Sequence, residues 1–444
     1  MVQGQGHDWQ KLHRAHLVEL ERRYAKALGE HGYDAVAIHS GVAKSRTMFD
    51  DQYWPLRATP EFQHWLPLAQ PDCALLIRPG QRPKLIWCQP PNFWEKPPVP
   101  DNDFWLAQFD IVVIEDVGDA RAHLHPSGRL AFVGEETARA DQWGIRESNP
   151  DGLMKAFDRT RVHKTAYELA SIDEANRVAA LGHRALHQAF LAGDRSELDL
   201  HLLYLQATAQ DDPETPYKNI VALGENASTL HHVSYRKQPR ARMAESLLLD
   251  AGAACNGYCS DITRTYVKGD GAGASAFAGL VAQIEAMQQR LCAAVAVGKP
   301  YEQLHDDAHR QIAAILCEVG VAKSSPDEAL AAGLTRAFFP HGLGHSLGLT
   351  CHDVGCAEIK PRAENPWLRN TSTISVDQVF TIEPGIYFTP MLLDPLRAGV
   401  KAARPGLVDW NLVDALAPFC GIRIEDDLQV RADGVRNFTR EQLP

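Results

Sequence analysis

The sequence lacks any apolar run close to the length of a membrane span. Its 444 residues include no stretch of roughly 18 apolar positions. The first sixteen residues, MVQGQGHDWQKLHRAH, also lack the apolar segment of a secretory signal. We therefore expect neither a membrane anchor nor secretion, and we predict a cytoplasmic protein.

The sequence is also short of positive charge and of paired cysteines. Lys and Arg number 45 against 56 Asp and Glu, a net charge of −11, which argues against a nucleic-acid partner. One basic segment, residues 236–242, is interpreted as a solvated loop. The nine cysteines are an odd number and include no C-x-x-C pair. We expect reduced and mostly buried thiols.

The length of the chain predicts two domains, because one core rarely extends over so many residues. Residues 8–31 have the spacing of a helix. Apolar runs typical of strands then begin at Asp34, Cys73, Lys84, Asp110 and Arg129. This mixture predicts an α/β domain over residues 1–158.

The second part of the chain shows a repeated order of elements. Helices are predicted at about 165–191 and 196–210, before strands that end near Tyr266. Two more helices, at about 275–296 and 301–319, precede strands that continue to the C-terminus. The order predicts an α+β domain of two related halves, with its site between them.

Two aspartates are predicted to share one face of a β-hairpin. Asn256-Gly257 is a strong signal for a two-residue turn, and this turn pairs Asp250 with Thr263 and Gly252 with Asp261. Asp250 and Asp261 then lie roughly 7 Å apart or less, a distance that metal can bridge. The alternative is a pair of exposed hairpin aspartates, although the apolar flanks favour burial.

Residues 339–353, FPHGLGHSLGLTCHD, place His341, His345 and His352 among glycines. Glycine allows the backbone to approach an ion or substrate closely. The stretch GHSLG also matches the nucleophile elbow of serine hydrolases, but Pro340 and further glycines do not fit the strand and helix that an elbow needs. Residues 269–274 resemble a dinucleotide-binding turn, yet a plain strand-to-helix loop is favoured.

Two glutamates lie on apolar strands. Glu383 ends a strand just before Pro384-Gly385, and Glu425 follows Ile424 on a strand where Arg423 shares its face. A buried charge needs a counter-charge or a metal ion. Both readings stay open for Glu425, because Arg423 offers an ion pair.

Together these motifs predict a dinuclear metal site. Four carboxylates and one imidazole suit hard divalent ions such as manganese or cobalt better than structural zinc. The expected chemistry is hydrolysis. The predicted ligands are Asp250, Asp261, His345, Glu383 and Glu425.

The motifs resemble those of the pita-bread metallopeptidases, which include methionine aminopeptidase, aminopeptidase P and Xaa-Pro dipeptidase. With FDDQYWP, PYKNIVAL and the segment from His352 to Glu383, the chain is most similar to the bacterial Xaa-Pro dipeptidases over nearly its full length. The resemblance implies a pita-bread (creatinase/aminopeptidase-like) catalytic domain over residues 159–444, preceded by a smaller α/β N-terminal domain.

The resemblance also implies roles for individual residues. The five ligands would hold two divalent ions per subunit, with Mn²⁺ expected first and Co²⁺ or Zn²⁺ as alternatives. Asp261 and Glu425 would bridge the ions, and a bridging hydroxide would be the nucleophile. Glu383 would act as general base, and His341 and His352 would steady the substrate and the tetrahedral intermediate.

The substrate contacts implied by the resemblance lie on several segments. His231 and Arg369 would hold the free carboxylate of a dipeptide. Tyr217 and Arg423 would line the site, and Asp51, or its neighbour Asp50, would reach the site of the other subunit in a homodimer.

The implied activity is hydrolysis of Xaa-Pro dipeptides with a trans prolyl bond, with organophosphorus triesters as side substrates. The Xaa-Pro bond is a tertiary amide without an N–H, which general peptidases fit poorly. One alternative is an Xaa-Pro aminopeptidase that acts on longer peptides. The other is a catalytically inactive binding module, against which the presence of all five ligands argues.

Three positions depart from the family pattern. Residues 376–378 are Val-Asp-Gln where the family usually has Pro-Gly-Met, and Cys420 stands where glycine is common. His232 stands where an aromatic residue is frequent, which would alter the carboxylate pocket. None of the three removes a ligand.

Overall fold

The computed structural model describes residues 7–94, 103–124, 128–239 and 245–444, without the side chains of 401–403. Residues 240–242 of the basic segment and the first six residues of the chain therefore lie outside the described residues. The chain forms two compact units, the first ending at Ser171 and the second spanning Ile172–Pro444.

The first unit contains a six-stranded mixed sheet with short helices and one long one. Its helices are α1 (Trp9–His31), α2 (Pro60–Gln63), α3 (Ala120–His123), α4 (Ala138–Trp143) and α5 (Asp151–Thr160). Its strands are β1 (Ala35–His39), β2 (Ala74–Ile77), β3 (Lys84–Cys88), β4 (Asp110–Ile114), β5 (Leu130–Val133) and β6 (Glu147–Ser148). The strand order is β4-β3-β2-β1-β5-β6. The five predicted strands and the first helix are confirmed.

The local sequence explains where these elements begin and end. The Asp8 side chain accepts a hydrogen bond from Lys11 N at the start of α1, and Gly32 ends the helix with a φ of 70°. All five residues of β1 are buried, because a central strand is covered on both faces of its sheet.

The second unit combines long helices with four small sheets. Its helices are α6 (Ala166–Ala192), which begins before the boundary, α7 (Glu197–Thr208), α8 (Ala272–Ala293), α9 (Tyr301–Glu318), α10 (Pro326–Ala331), α11 (Leu334–Phe338), α12 (Pro390–Ala403), α13 (Trp410–Leu416) and α14 (Phe438–Gln442). Its strands are β7 (Ile220–Leu223), β8 (Ser246–Asp250), β9 (Ala254–Cys255), β10 (Tyr258–Cys259), β11 (Thr263–Val267), β12 (Val379–Ile382), β13 (Gly385–Tyr387), β14 (Gly421–Arg423), β15 (Asp426–Arg431) and β16 (Gly434–Asn437). The four predicted long helices are confirmed as α6 to α9.

The sheets are all antiparallel. β11, β8 and β7 form one three-stranded sheet, and β12, β15 and β16 form another. β9 pairs with β10, and β13 pairs with β14. A large apolar core packs α8 and α9 against β12 to β15, with Ile284, Ile312 and Phe380 fully buried. Four of the predicted ligands lie at or beside the ends of strands in this unit, namely Asp250, Asp261, Glu383 and Glu425.

The predicted hairpin register is confirmed. Cys255 pairs with Tyr258 across the turn, and Asp250 pairs with Thr263. Asn256 and Gly257 have φ values of 51° and 88°, the positive angles that this tight turn requires. A Cβ at Gly252 would overlap the carbonyl oxygen of Ser260, so glycine allows the two strands to approach.

Two parts of the sequence-based description need correction. The segment around Glu425 is not one continuous strand, because β14 ends at Arg423 and β15 begins at Asp426 with a different partner strand. The strands do not run uninterrupted to the C-terminus either, since α12 and α13 intervene. Among the described residues, no helix has the length and apolar character needed to cross a bilayer.

Candidate metal centre

The five predicted ligands all lie in the second unit, at the ends of strands. Asp250 is the last residue of β8, and Asp261 lies between β10 and β11. Glu383 follows β12, and Glu425 lies between β14 and β15, where it forms an isolated bridge with Thr263. Strand ends place these side chains beside a common space instead of inside a sheet.

His345 lies in the glycine-rich segment that runs beside β12. The amide of Thr381 donates to the carbonyl oxygen of His345 at 2.9 Å, and the amide of His345 donates to Thr381 Oγ1 at 3.1 Å. A Cβ at Gly344 would overlap the carbonyl oxygen of Thr381. Glycine at this position therefore lets the segment lie close enough to present the imidazole.

Three of the carboxylates converge on the imidazole of His345. Its Nε2 lies 3.3 Å from Asp261 Oδ2, 3.5 Å from Glu383 Oε1 and 4.0 Å from Glu425 Oε1. Its Nδ1 donates to the carbonyl oxygen of Ser346 at 3.1 Å, which directs Nε2 toward the carboxylates. The ligand atoms of Asp261, His345 and Glu425 all lie within 4.8 Å of one another.

The remaining carboxylate, Asp250, is held by an arginine. Arg423 Nη2 donates to Asp250 Oδ2 at 2.5 Å, and Arg423 Nε donates to Thr263 Oγ1 at 3.1 Å. Thr263 in turn donates to Glu425 Oε2 at 2.6 Å. The predicted alternative of an Arg423–Glu425 ion pair is replaced by a chain of contacts from Asp250 through Arg423 and Thr263 to Glu425.

Burial makes the ionised carboxylates costly. Burial raises the pKa of Glu383 to about 7. Burial, with the charges of Asp261 and Glu383, raises the pKa of Glu425 well above its usual range, and burial raises the pKa of Asp250 as well. Without added positive charge, this cluster cannot be fully ionised at neutral pH.

His345 and Asp261 form a buried ion pair, in which each group stabilises the charged form of the other. Burial alone would lower the pKa of His345, but its hydrogen bond with Asp261 and the charge of Glu383 outweigh burial and raise that pKa to about 9. Burial would likewise raise the pKa of Asp261, yet contact with His345 lowers it to about 2. The protonated imidazole thus stands where these carboxylates need a cation.

The residues fit a site for divalent metal ions. Four carboxylates converge where one arginine and one imidazole are the cations in contact with them. Asp250 Oδ1 is buried and has no hydrogen-bond partner among the described residues. A buried oxygen left in this state is costly unless a cation binds it. This donor set of oxygens with one nitrogen is typical of hard divalent ions.

His341 and His352 both adjoin this cluster, His341 beside Glu383 and His352 beside the ring of His345. His341 Nδ1 lies 2.8 Å from the carbonyl oxygen of Gly342 and therefore carries the proton, so Nε2 accepts from the Tyr387 hydroxyl at 2.9 Å. Burial lowers the pKa of His341 to about 3 and that of His352 to about 4. Both rings are therefore neutral at physiological pH.

Of the predicted substrate contacts in the second unit, Tyr217 directly contacts a predicted ligand. The Tyr217 hydroxyl donates to Asp261 Oδ1 at 2.5 Å. Burial lowers the pKa of His352, and the charge of Arg369 lowers it further. The side chains of Arg369 and His231 are both exposed. Asp51 lies in the first unit and is exposed as well.

Two contacts at the site were not predicted. Tyr387, on β13, receives a hydrogen bond from Arg423 Nη1 at 2.8 Å and orients His341. Cys351 Sγ lies 2.8 Å from Asp261 Oδ2. Tyr387 lies in an apolar strand, where the sequence pattern predicts a core residue. Cys351 lies next to His352, but the two do not form a recognised metal-binding motif.

The alternative motifs do not form their sites. Ser346 is buried and lies in an isolated bridge with Phe380, without a helix after it. Residues 269–271 lie in the loop between β11 and α8, and residues 272–274 begin α8. β11 pairs antiparallel with β8, which does not fit a βαβ unit. The strand-to-helix loop is confirmed.

Two of the three departures from the family pattern adopt glycine-like backbone angles. Cys420 has a φ of 69° and Asp377 a φ of 64°, a region that favours glycine. The third, His232, places its Nε2 2.9 Å from Glu197 Oε2, so its ring is held by Glu197. No disulfide joins any of the nine cysteines, all of which lie in the described part of the chain, and six of them are buried, as expected.

Two family models together match most of the chain. The model described as Xaa-Pro dipeptidase, N-terminal domain, matches residues 11–158. The model described as metallopeptidase family M24 matches residues 170–432. The second match includes all five predicted ligands.

Curated proteins are similar over nearly the full chain. The Xaa-Pro dipeptidase of Marinobacter nauticus is 43% identical over 432 residues, covering 97% of this chain and 98% of that protein. The Xaa-Pro dipeptidase of Pseudoalteromonas atlantica is 40% identical over 442 residues, covering 97% and 98%.

Solved structures share the fold at lower identity. A structure of Escherichia coli aminopeptidase P with the inhibitor Pro-Leu has a TM-score of 0.74 at 20% identity and covers 96% of this chain and 95% of that one. Proline aminopeptidase P II from Yersinia pestis gives 0.73 at 21% identity, covering 97% and 96%. These likenesses establish the pita-bread fold with an N-terminal domain.

Proposed function

We propose, from the premise that this chain belongs to metallopeptidase family M24 and to its Xaa-Pro dipeptidases, that it hydrolyses Xaa-Pro dipeptides with the help of divalent metal ions. The observation that carries this proposal is the convergence of two buried carboxylates and the half-buried Glu383 on His345 Nε2, beside an Asp250 oxygen that lacks a hydrogen-bond donor among the described side chains.

We infer two ions per subunit, with Mn²⁺ as the first choice and Co²⁺ or Zn²⁺ as alternatives. Asp250, Asp261, His345, Glu383 and Glu425 would hold these ions. When bound, the ions lower the pKa of water and polarise the scissile carbonyl. Oxygen donors from carboxylates favour Mn²⁺, while the single imidazole also suits Co²⁺ and Zn²⁺.

Glu383 moves the proton in this mechanism. Its carboxylate lies 3.5 Å from His345 Nε2 and 3.7 Å from His341 Nδ1. It accepts a proton from the attacking water and delivers it to the prolyl nitrogen as the bond breaks. His341 and His352, both neutral, contact the substrate and its tetrahedral intermediate.

We assign the dipeptide preference to Arg369 and His231. Arg369 and His231 would hold the substrate's free C-terminal carboxylate, and arginine is well shaped for that group. Tyr217 and Arg423 line the site through their contacts with Asp261 and Asp250.

The homodimer remains part of the proposal, with Asp51 reaching the partner's site. Exposed apolar side chains support an interface beside Asp51, since Met48 is 88% exposed, Phe49 is 90% exposed and Trp54 is 58% exposed. The same proposal divides the two domains between residues 158 and 159. It also gives the protein a cytoplasmic location, without nucleic-acid or membrane partners.

The test is proline release from Ala-Pro and from Ala-Pro-Ala by chelated protein, with and without added manganese. Metal-dependent cleavage of the dipeptide alone supports the proposal. Cleavage of the tripeptide would assign an aminopeptidase and remove the carboxylate role of His231 and Arg369. If no divalent metal supports turnover, the enzyme proposal is wrong and the catalytically inactive binding module is the remaining alternative. An organophosphorus triester added to the same assay tests the side activity.

A further inference from the structure

A second donor set adjoins the carboxylate cluster and contains sulphur. One ligand atom each from His345, Cys351 and His352 lies within 4.8 Å of the other two. The proposed mechanism uses His345 as a ligand and gives Cys351 no role. Two imidazoles and one thiol form the kind of nitrogen and sulphur set that softer divalent ions prefer.

We propose that His345, Cys351 and His352 bind a soft divalent ion such as Zn²⁺ or Cd²⁺ at a site that competes with the carboxylate centre for His345. On binding, the S–H bond of Cys351 breaks, its proton passes to the buffer, and the sulphur electron pair forms the bond to the ion.

The carboxylate of Asp261 lies close enough to this set to supply a fourth ligand. Asp261 Oδ2 lies 2.8 Å from Cys351 Sγ and 3.3 Å from His345 Nε2. Zinc commonly takes four ligands drawn from sulphur, nitrogen and carboxylate oxygen in a tetrahedral arrangement. Asp261 therefore completes the set without requiring a further residue.

The set is accessible from the side of its outer imidazole, that of His352. His352 is exposed, Cys351 is half-buried and His345 is buried, so an ion reaches the set from the His352 side. The rings of His345 and His352 lie 4.4 Å apart at 85° to each other. Within the described residues, the ring of His352 has no hydrogen-bond partner, which leaves its nitrogens free to bind.

The shared ligands make the two sites exclusive. His345 supplies the only nitrogen of the carboxylate set, and Asp261 is also common to both sets. A soft ion on Cys351 therefore withdraws two ligands from the hard-ion centre. The predicted inhibition by excess soft metal rests on the proposed function, whereas the binding itself does not.

The test is a titration of chelated, metal-free protein with Cd²⁺, followed by the ultraviolet absorption of the cadmium–thiolate bond. We expect the band to saturate in the wild-type protein. In Cys351→Val we expect the band to be lost and the affinity for Cd²⁺ to fall by about tenfold or more. Cys317→Val, a change at a half-buried thiol on α9, is the matched control and is expected to keep the band.

Two further readouts separate a lost ligand from a damaged fold. Cys351→Val retains all five carboxylate and imidazole ligands and should still bind Mn²⁺ by calorimetry, whereas a damaged fold would not. In wild-type protein, Zn²⁺ should protect Cys351 from alkylation, as read by peptide mass spectrometry. A thiolate band that survives in Cys351→Val, or alkylation of Cys351 at an unchanged rate with Zn²⁺, would overturn the proposal. If the band appears but Ala-Pro is not cleaved, the proposed function fails while this site stands.

Discussion

Arg423 is the residue through which the buried charges of the centre are balanced. Its guanidinium donates to Asp250, Thr263 and Tyr387, and its side chain is only 5% exposed. Nearby carboxylates and Tyr387 raise its pKa further although burial opposes the shift. Removing one partner of such a pair leaves the other buried and uncompensated.

We predict that Arg423→Met destabilises the metal-free protein by about 3–5 kcal/mol. Methionine keeps an apolar stem in place of the arginine stem but leaves Asp250 and Tyr387 without their donor. The change is measured as the shift of the urea midpoint in the presence of chelator.

Arg397→Met is the matched control. Arg397 pairs with Asp414 at 2.6 Å, but the two side chains are 30% and 58% exposed. Water screens this pair, so its loss should cost at most about 1 kcal/mol. Equal midpoint shifts for the two variants would show that Arg423 does not carry the buried charge balance.

The end of helix α7 shows a local conflict between residue type and conformation. The helix begins with a capping box, in which Ser196 and Asp199 satisfy each other's amides. Ala209 follows its last residue as the C-cap, with left-handed angles of φ 52° and ψ 40°. Alanine pays a steric cost in this region that glycine avoids.

We predict that Ala209→Gly raises stability by about 1 kcal/mol. The amide of Ala209 already bonds to the end of α7, and the residue is exposed, so the substitution changes little besides the backbone preference. The readout is the thermal unfolding midpoint.

Gly32→Ala tests the same physics in reverse. Gly32 ends α1 with a φ of 70°, and an added Cβ would meet Arg129 Nη1 at an ordinary 3.6 Å. A loss of similar size is expected. If both variants shift the midpoint in one direction, the backbone explanation is wrong.

The elements that the sequence predicted correctly are those specified by neighbouring residues. The Asn256-Gly257 turn determines its own hairpin register, and that register places Asp250 opposite Thr263. The long helices have apolar periodicity and caps. The five candidate ligands could be named because each lies in a short motif, although their convergence depends on tertiary packing.

The missed features depend on contacts between distant residues. β14 and β15 read as one strand because their apolar alternation continues through Ile424, but their partner strands differ. α12 begins at Pro390 and contains Pro395, which obscures a helical pattern. Arg423 was expected beside Glu425, yet the hydrogen bond to Asp250 connects residues 173 positions apart.

At the scale of the whole molecule, the metal centre links stability to pH. In metal-free protein the raised pKa values of Glu383, at about 7, and His345, at about 9, mean that the folded state holds protons more tightly than the unfolded chain does. Stability from such groups is fully present below their unfolded pKa values and is lost as pH rises through the folded ones.

Other buried groups oppose this trend at lower pH. Burial lowers the pKa of His13 to about 4 and those of His16 and His183 to about 3. The unfolded chain therefore binds more protons at these sites, and they add stability as pH rises toward their unfolded pKa of about 6.5. Above that pH their contribution is complete, so the centre dominates between pH 7 and 8.5.

We predict that the metal-free protein loses stability as pH rises from 7 to 8.5, by up to about 1.4 kcal/mol per pH unit for each proton released. Protein loaded with Mn²⁺ should lose much less, because bound cations replace the protons of Glu383 and His345. Manganese at a hundredfold excess over its dissociation constant should itself add about 2.7 kcal/mol. Urea unfolding at pH 7, 7.75 and 8.5, with chelator or with manganese, measures both effects. If the metal-free protein became more stable over this range, the raised pKa values of Glu383 and His345 would be contradicted.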